Sequence, residues 1–248
     1  MINSVELEQK SIQEVEKSKM RFFWIINALF VLEWIFLAFN VVNRGAWALE
    51  NLLVFILVPI AVICYKKYFS RTSYLLLFIF VSLHLIGAHY TYSFVPYDAL
   101  FDRIFGHSLN SILGWERNNY DRIVHFLWGL LLFLPLKELF NGRGSLSDSM
   151  RSLLAWLIVL ATSTIYELLE FGAFVILNSS VGLAYTGAQG DIWDSQKDQL
   201  LAIIGASIAY GILKIKVPAS FSGSRSYIFI LIYWATLIHF MRQLNCGV

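Results

Sequence analysis

The sequence predicts an all-α fold, a polytopic membrane helical bundle of about seven transmembrane helices with its N-terminus in the cytoplasm. Three observations lead there. Of the 248 residues 58% are hydrophobic and only 15% charged, and the mean hydropathy is +0.63, too apolar for a soluble domain. Apolar runs of about 20 residues recur, the helical length that crosses a hydrocarbon core of about 30 Å. Finally, the 19 Lys and Arg residues fall unevenly on alternate connections between those runs, as they do in proteins that thread a membrane repeatedly.

Taken in order, residues 1–20 form a polar cytoplasmic tail without a cleavable signal peptide, and Ser11 and Glu14 stand in capping-box spacing beside Ile12 and Val15, which predicts a short interfacial helix. A single transmembrane domain over 21–243 follows, with spans near 21–40, 51–69, 73–90, 122–140, 152–177, 198–215 and 226–243. Glu33 is central in the first span, Glu50 heads the second, and Pro59 kinks the second. The third ends in a polar and aromatic stretch through His84, His89, Tyr90 and Tyr92. Outer loop 91–120 is too long for a turn and is punctuated by Pro96 and Gly114, with a short helix from Asp98 to Phe105. Ser145, Ser147 and Asp148 mark a cytoplasmic turn before the fifth span. The second outer loop, 178–197, is rich in Ser, Gly and Thr, and Asp191 is placed to cap the helix that carries Asp194 and Asp198.

Thirteen of the 19 basic residues fall on the side of the N-terminus and six, Arg44, Arg103, Arg117, Arg122, Lys197 and Arg242, on the other, so both long loops face outward. Cys64 and Cys246 are too far apart in topology to pair, and no Cys-rich metal motif, phosphate-binding loop or dinucleotide fingerprint is present. Nothing points to nucleic acid, and the oligomeric state is not written in the chain.

What does stand out is a set of ionisable residues in or beside the spans: His89, Asp121, His125, Glu167, Glu170, Asp191, Asp194 and Asp198. Each such group costs on the order of 2.5–3.5 kcal/mol at membrane depth on insertion scales. Asp121 and His125 are four apart and Glu167 and Glu170 three apart, so each pair shares a helical face, while Asp191, Asp194 and Asp198 follow an i, i+3, i+7 stripe. The glutamates lie seven to ten residues below the outer end of their span, roughly 10–15 Å at 1.5 Å per residue. Carboxylates gathered this way repel unless positive charge joins them, and a divalent metal is the simplest source. Oxygen ligands with an imidazole suit Zn²⁺, Mn²⁺, Mg²⁺ or Fe²⁺. The expected shell is Asp121, His125, Glu167, Asp194 and Asp198, with Glu170 behind it or acting as base and His89 as a second candidate base. Arg117 and Arg122 would attract a phosphate, and Tyr90, Tyr92, Tyr120, Asp191 and Trp193 would line the headgroup level. Plainer roles stand beside these. His125 could bond a carbonyl across the bundle, His89 could be interfacial, His84, His107 and His239 structural or solvated, Glu170 in a salt bridge with Arg122 or Arg117, and Asp191 only a cap.

The runs Gly87-Ala-His-Tyr-Thr-Tyr92, Arg117-Asn-Asn-Tyr-Asp-Arg122 with His125-Phe126, Tyr166-Glu-Leu-Leu-Glu170 and Gly187-Ala-Gln-Gly-Asp-Ile-Trp-Asp-Ser-Gln-Lys-Asp198 together resemble the bacterial inner-membrane YjdF family, of uncharacterised function, over roughly residues 25 to 213. The order Asp-Arg-x-x-His, Glu, Asp-x-x-x-Asp is distantly similar to VanZ-like proteins of glycopeptide resistance. The resemblance implies a bacterial inner-membrane location and a shared site on the residues above; Ala188 stands where the pattern leads one to expect Thr, and the seventh span looks like an addition. The leading functional expectation is a membrane-embedded metal-dependent enzyme, a hydrolase or transferase acting on a lipid or lipid-linked headgroup from the outer face. A cation or proton carrier using the same carboxylates is the alternative, and a non-catalytic lipid-binding resistance factor a third reading resting on the VanZ likeness.

Overall fold

The computed structural model describes residues 4–142, 146–177 and 180–215, and among them there are helices and turns but no strand. Helix α1 runs Ser4–Leu37, α2 Arg44–Tyr65, α3 Arg71–His89, α4 Tyr97–Phe105, α5 Leu109–Leu113, α6 Tyr120–Glu138, α7 Asp148–Leu177, α8 Ser180–Thr186 and α9 Asp194–Lys214. The tail and the first span, expected as separate helices, are one. Nothing between Ser4 and Leu37 is Gly or Pro, so no residue interrupts the hydrogen-bond ladder. The starts of α2, α3 and α5 follow capping chemistry. Asn43 Oδ1 accepts from the Ala46 N–H at the head of α2, Ser70 Oγ from Ser73 at α3, and Ser108 Oγ from Ser111 at α5.

Among the described residues four helices are long and apolar enough to cross a membrane: α1 over Glu8–Leu37, α2, α3 and α7. Helices α6 and α9 have comparable length, 19 and 21 residues, but they are more polar and lie outside that group, with Asp121, Arg122, Lys137 and Glu138 on α6 and Asp194, Lys197, Asp198 and Lys214 on α9. Their aspartates, Asp121, Asp194 and Asp198, are buried. Helix α6 packs against α3, α7 and α9, and α9 also against α7, so α6 is buried along most of its length. The expected window 226–243 lies outside the described residues.

The α6–α9 contact is backbone against backbone. A Cβ on Gly129 would run into the Ala202 carbonyl oxygen, and one on Gly205 into that of Phe126. Only glycine at these two positions lets the axes approach so closely, and the approach carries Asp121 and His125 on α6 up to Asp198 on α9.

Candidate metal centre

Asp121 and His125 project from the first two turns of α6, one turn apart, and Asp198 from the second turn of α9; each offers a ligand atom within 4.8 Å of the other two. All three are buried. Glu167, from α7, joins through the imidazole, whose Nε2 stands 3.4 Å from Glu167 Oε1 and 3.6 Å from Asp121 Oδ1. Those separations are long for hydrogen bonds. They match the edge of a tetrahedron of ligands, about 3.3–3.6 Å for metal bonds of about 2.0–2.2 Å. Asp198 Oδ1 and Glu167 Oε1 are buried with no hydrogen-bond partner, an expensive arrangement for carboxylate oxygens unless something else satisfies them. The loop that leads into α9 closes over the group at Gly187, whose backbone has φ +61° and whose Cβ, if present, would lie 3.0 Å from Asp121 Oδ2.

Asp194, expected in the same shell, is engaged elsewhere. Its Oδ1 accepts from Arg117 Nη1 at 2.9 Å and lies 3.5 Å from Arg122 Nη2. Arg117 also donates to the Ala188 carbonyl at 2.7 Å. Arg122 pairs with Asp191, and Asp191 Oδ2 accepts from Lys197 Nζ at 2.7 Å. The two arginines expected to await a phosphate are thus held by Asp191 and Asp194, which also replaces the salt bridge considered for Glu170. Nor is Asp191 the terminal cap: Trp193 occupies that position on α9, and Asp191 Oδ1 accepts from the Trp193 N–H two residues on, an Asx-turn that leads the chain into the helix. Partial burial alone would raise the Asp191 carboxyl, but the hydrogen bonds from Lys197 and the Trp193 N–H, with the charges of Arg122 and Lys197, outweigh it and hold the group below the ordinary carboxylate range.

Residues 22–217 match the family described as predicted membrane protein (DUF2238). The chain belongs to this family. Among curated proteins, the inner membrane protein YjdF of Escherichia coli (strain K12) is 31% identical over 166 residues, which is 66% of this chain and 75% of that relative. No solved structure matches. The match spans every site residue named here and ends before the 226–243 window. As a DUF2238 member the chain is a membrane protein, and its place is the inner membrane, as the sequence predicts.

The remaining expected residues lie around the centre in separate settings. His89 Nδ1 bonds the Leu37 carbonyl at 2.9 Å and its ring meets Tyr90 edge-on. The Tyr120 hydroxyl donates to the Leu83 carbonyl at 2.8 Å, Trp193 is exposed, and Glu170 is buried one turn beyond Glu167 on α7. Sequence reading passed over a second buried group in this DUF2238 chain. His84 Nε2 lies 3.0 Å from the Glu50 carbonyl, which can only accept, so Nε2 carries the proton and Nδ1 accepts from the Tyr92 hydroxyl at 2.5 Å. Glu50 Oε2 in turn accepts from the Tyr166 hydroxyl at 2.6 Å. Tyr166 packs edge-on to His125, so the two groups adjoin. Glu50 in the second turn of α2 and His84 inside an apolar span share no spacing, and the packing of α2 on α3 brings them together.

Proposed function

We propose that this protein is a membrane-embedded, divalent-metal-dependent enzyme that hydrolyses, or transfers a group from, a lipid or lipid-linked headgroup reaching it from the outer face. The observation that carries the reading is the buried Asp121, His125 and Asp198 triad with ligand atoms within 4.8 Å of one another, beside orphaned oxygens of Asp198 and Glu167. Bound there, a divalent ion would supply a Lewis acid and lower the proton affinity of a water. Three protein ligands leave positions open for water and substrate, as catalytic sites do. Glu167, 3.4 Å from His125, either completes the set or takes the proton of the attacking water. Arg117 and Arg122 would receive an anionic headgroup by exchanging it for Asp191 and Asp194.

Elemental analysis of detergent-purified protein tests the metal. We expect about one bound divalent ion per chain, lost in Asp198→Asn and His125→Ala while the helical circular dichroism persists; wild type that stays metal-free after incubation with Zn²⁺, Mn²⁺, Mg²⁺ and Fe²⁺ overturns the proposal. For the chemistry, headgroup release from phospholipid vesicles should disappear in Glu167→Gln.

One observation favours a second reading, a cation or proton carrier. Polar groups continue sideways from Glu167 and Glu170 on α7 through Tyr166 to the buried Glu50 on α2 and His84 on α3, a longer set than a single metal centre requires. Ion flux into liposomes, stopped by Glu167→Gln and unaccompanied by headgroup release, would select it.

A further inference from the structure

Helix α4 lies in the first outer loop and none of its residues is buried. Its apolar residues, Tyr97, Leu100, Phe101, Ile104 and Phe105, follow the i, i+3, i+4, i+7, i+8 positions of one face. Leu100, Ile104 and Phe105 are 59%, 64% and 61% exposed. Each such side chain is worth about 1.5–3 kcal/mol when fully removed from water, so a soluble setting would waste a large stabilisation.

The helix is not a loose excursion. Asp98 accepts from Ser108 Oγ and the Asn110 N–H, and the Tyr97 hydroxyl donates to Asn110 Oδ1 at 2.7 Å and accepts from the Asn119 N–H at 3.0 Å. Asn119 is the N-cap of α6, two residues before Asp121. At the other end, residues 90–95 fold back on the end of α3 through Tyr92 N to Gly87 O and Phe94 N to Tyr90 O, and Asn118 clamps the Val95 carbonyl. Helix α4 therefore starts at the outer ends of α3 and α6, where the lipid-facing surface of the spans reaches the headgroups. The second outer loop is tied to the same place by Arg117 to Ala188 and Gln189 to Asn118, and it too exposes Ile192 and Trp193.

We infer that α4 is an interfacial anchor whose Leu100, Phe101, Ile104 and Phe105 stripe lies in the outer leaflet at the boundary of acyl chains and headgroups, continuous with the lipid-facing spans, with Ile192 and Trp193 at the same level. A narrow apolar stripe flanked by Asp102 and Arg103 is the pattern of helices that lie in a membrane surface, and the partner it fits is the phospholipid leaflet. The inference holds whether or not the buried triad binds a metal.

Nitroxide labels placed singly at Leu100→Cys, Ile104→Cys and Asp102→Cys, in full-length protein carrying Cys64→Ser and Cys246→Ser and reconstituted in phosphatidylethanolamine and phosphatidylglycerol vesicles, test it. Collision with oxygen, which concentrates in lipid, against collision with a water-soluble nickel chelate should be several-fold higher at 100 and 104 than at 102. Water-like ratios at 100 and 104 overturn the inference, as does dipolar broadening between labels at 100, which would show a second copy covering the stripe. Metal content measured on the same samples keeps this outcome separate from that of the proposed centre.

Discussion

At Tyr166 one hydroxyl joins two buried groups: it donates to Glu50 Oε2 at 2.6 Å while its ring packs against His125. Tyr166→Phe keeps the ring and leaves a buried carboxylate oxygen without its donor, which costs about 1–3 kcal/mol. The expected result is a lower thermal midpoint in detergent, with Tyr166→Phe and Glu50→Gln together costing less than the sum of the two; strict additivity would show that the bond contributes nothing. The contrast between this group and the triad shows what was legible residue by residue. Asp121 and His125 announced themselves through helical spacing, as did Glu167, because a charge at membrane depth has few innocent explanations. Glu50 and His84 did not, since their significance arises from a contact between α2 and α3. Asp194 illustrates the opposite case. It shares the stripe of Asp198, but one turn nearer the loop it meets Arg117 and Arg122, and sequence spacing says nothing about which of two acids an arginine reaches.

Among the elements, α6 and α9 were readable as helices in the expected windows, whereas their intimacy was not, because a glycine in a span signals close approach without naming the partner. Gly129→Ala places a methyl group on the Ala202 carbonyl and Gly205→Ala places one on that of Phe126. Backbone cannot yield as a side chain does, so each should lower stability by about 1–3 kcal/mol and, by separating the helices, weaken divalent-metal retention. Gly211→Ala, where a Cβ meets nothing within 4 Å, should do neither. The loops before α6 and α9 are joined by charge instead. The Asp191 carboxyl is held below the ordinary carboxylate range by Lys197, the Trp193 N–H and Arg122, against the upward pull of partial burial. Its contribution is therefore fully present above the usual Asp value of about 3.9 and fades only as pH falls through the lowered folded value. Hydrogen exchange in residues 187–193 should thus stay slow, after correction for intrinsic rates, from neutral pH down to about 4, with opening below that. Asp191→Asn should open the loop at neutral pH and lose the transition.

For the whole molecule, the uneven distribution of basic residues acquires a spatial meaning. Arg71 reaches the Val15 carbonyl on α1, Ser70 donates its N–H to Glu138 on α6, and Lys137, Arg151 and Lys214 converge on Asp148 at the start of α7. The ends of α3, α6, α7 and α9 and the N-terminal third of α1 therefore meet at one pole rich in Lys and Arg. The opposite pole joins His89 to Leu37 and Val42 and holds Arg117 and Arg122 against Asp191 and Asp194. Acids pair with the arginines there, whereas at the first pole three cations share the one carboxylate of Asp148 and Glu138 is engaged by the Ser70 N–H, so positive charge is in excess at that end. The positive-inside rule predicts that this pole faces the cytoplasm. It follows that, in intact cells expressing the Cys64→Ser, Cys246→Ser background, a membrane-impermeant maleimide should label Ser111→Cys in the first outer loop and leave Ser11→Cys untouched until the cells are lysed. Labelling in the reverse order would place the triad's mouth at the cytoplasmic face, and a headgroup substrate would then have to come from the inner leaflet.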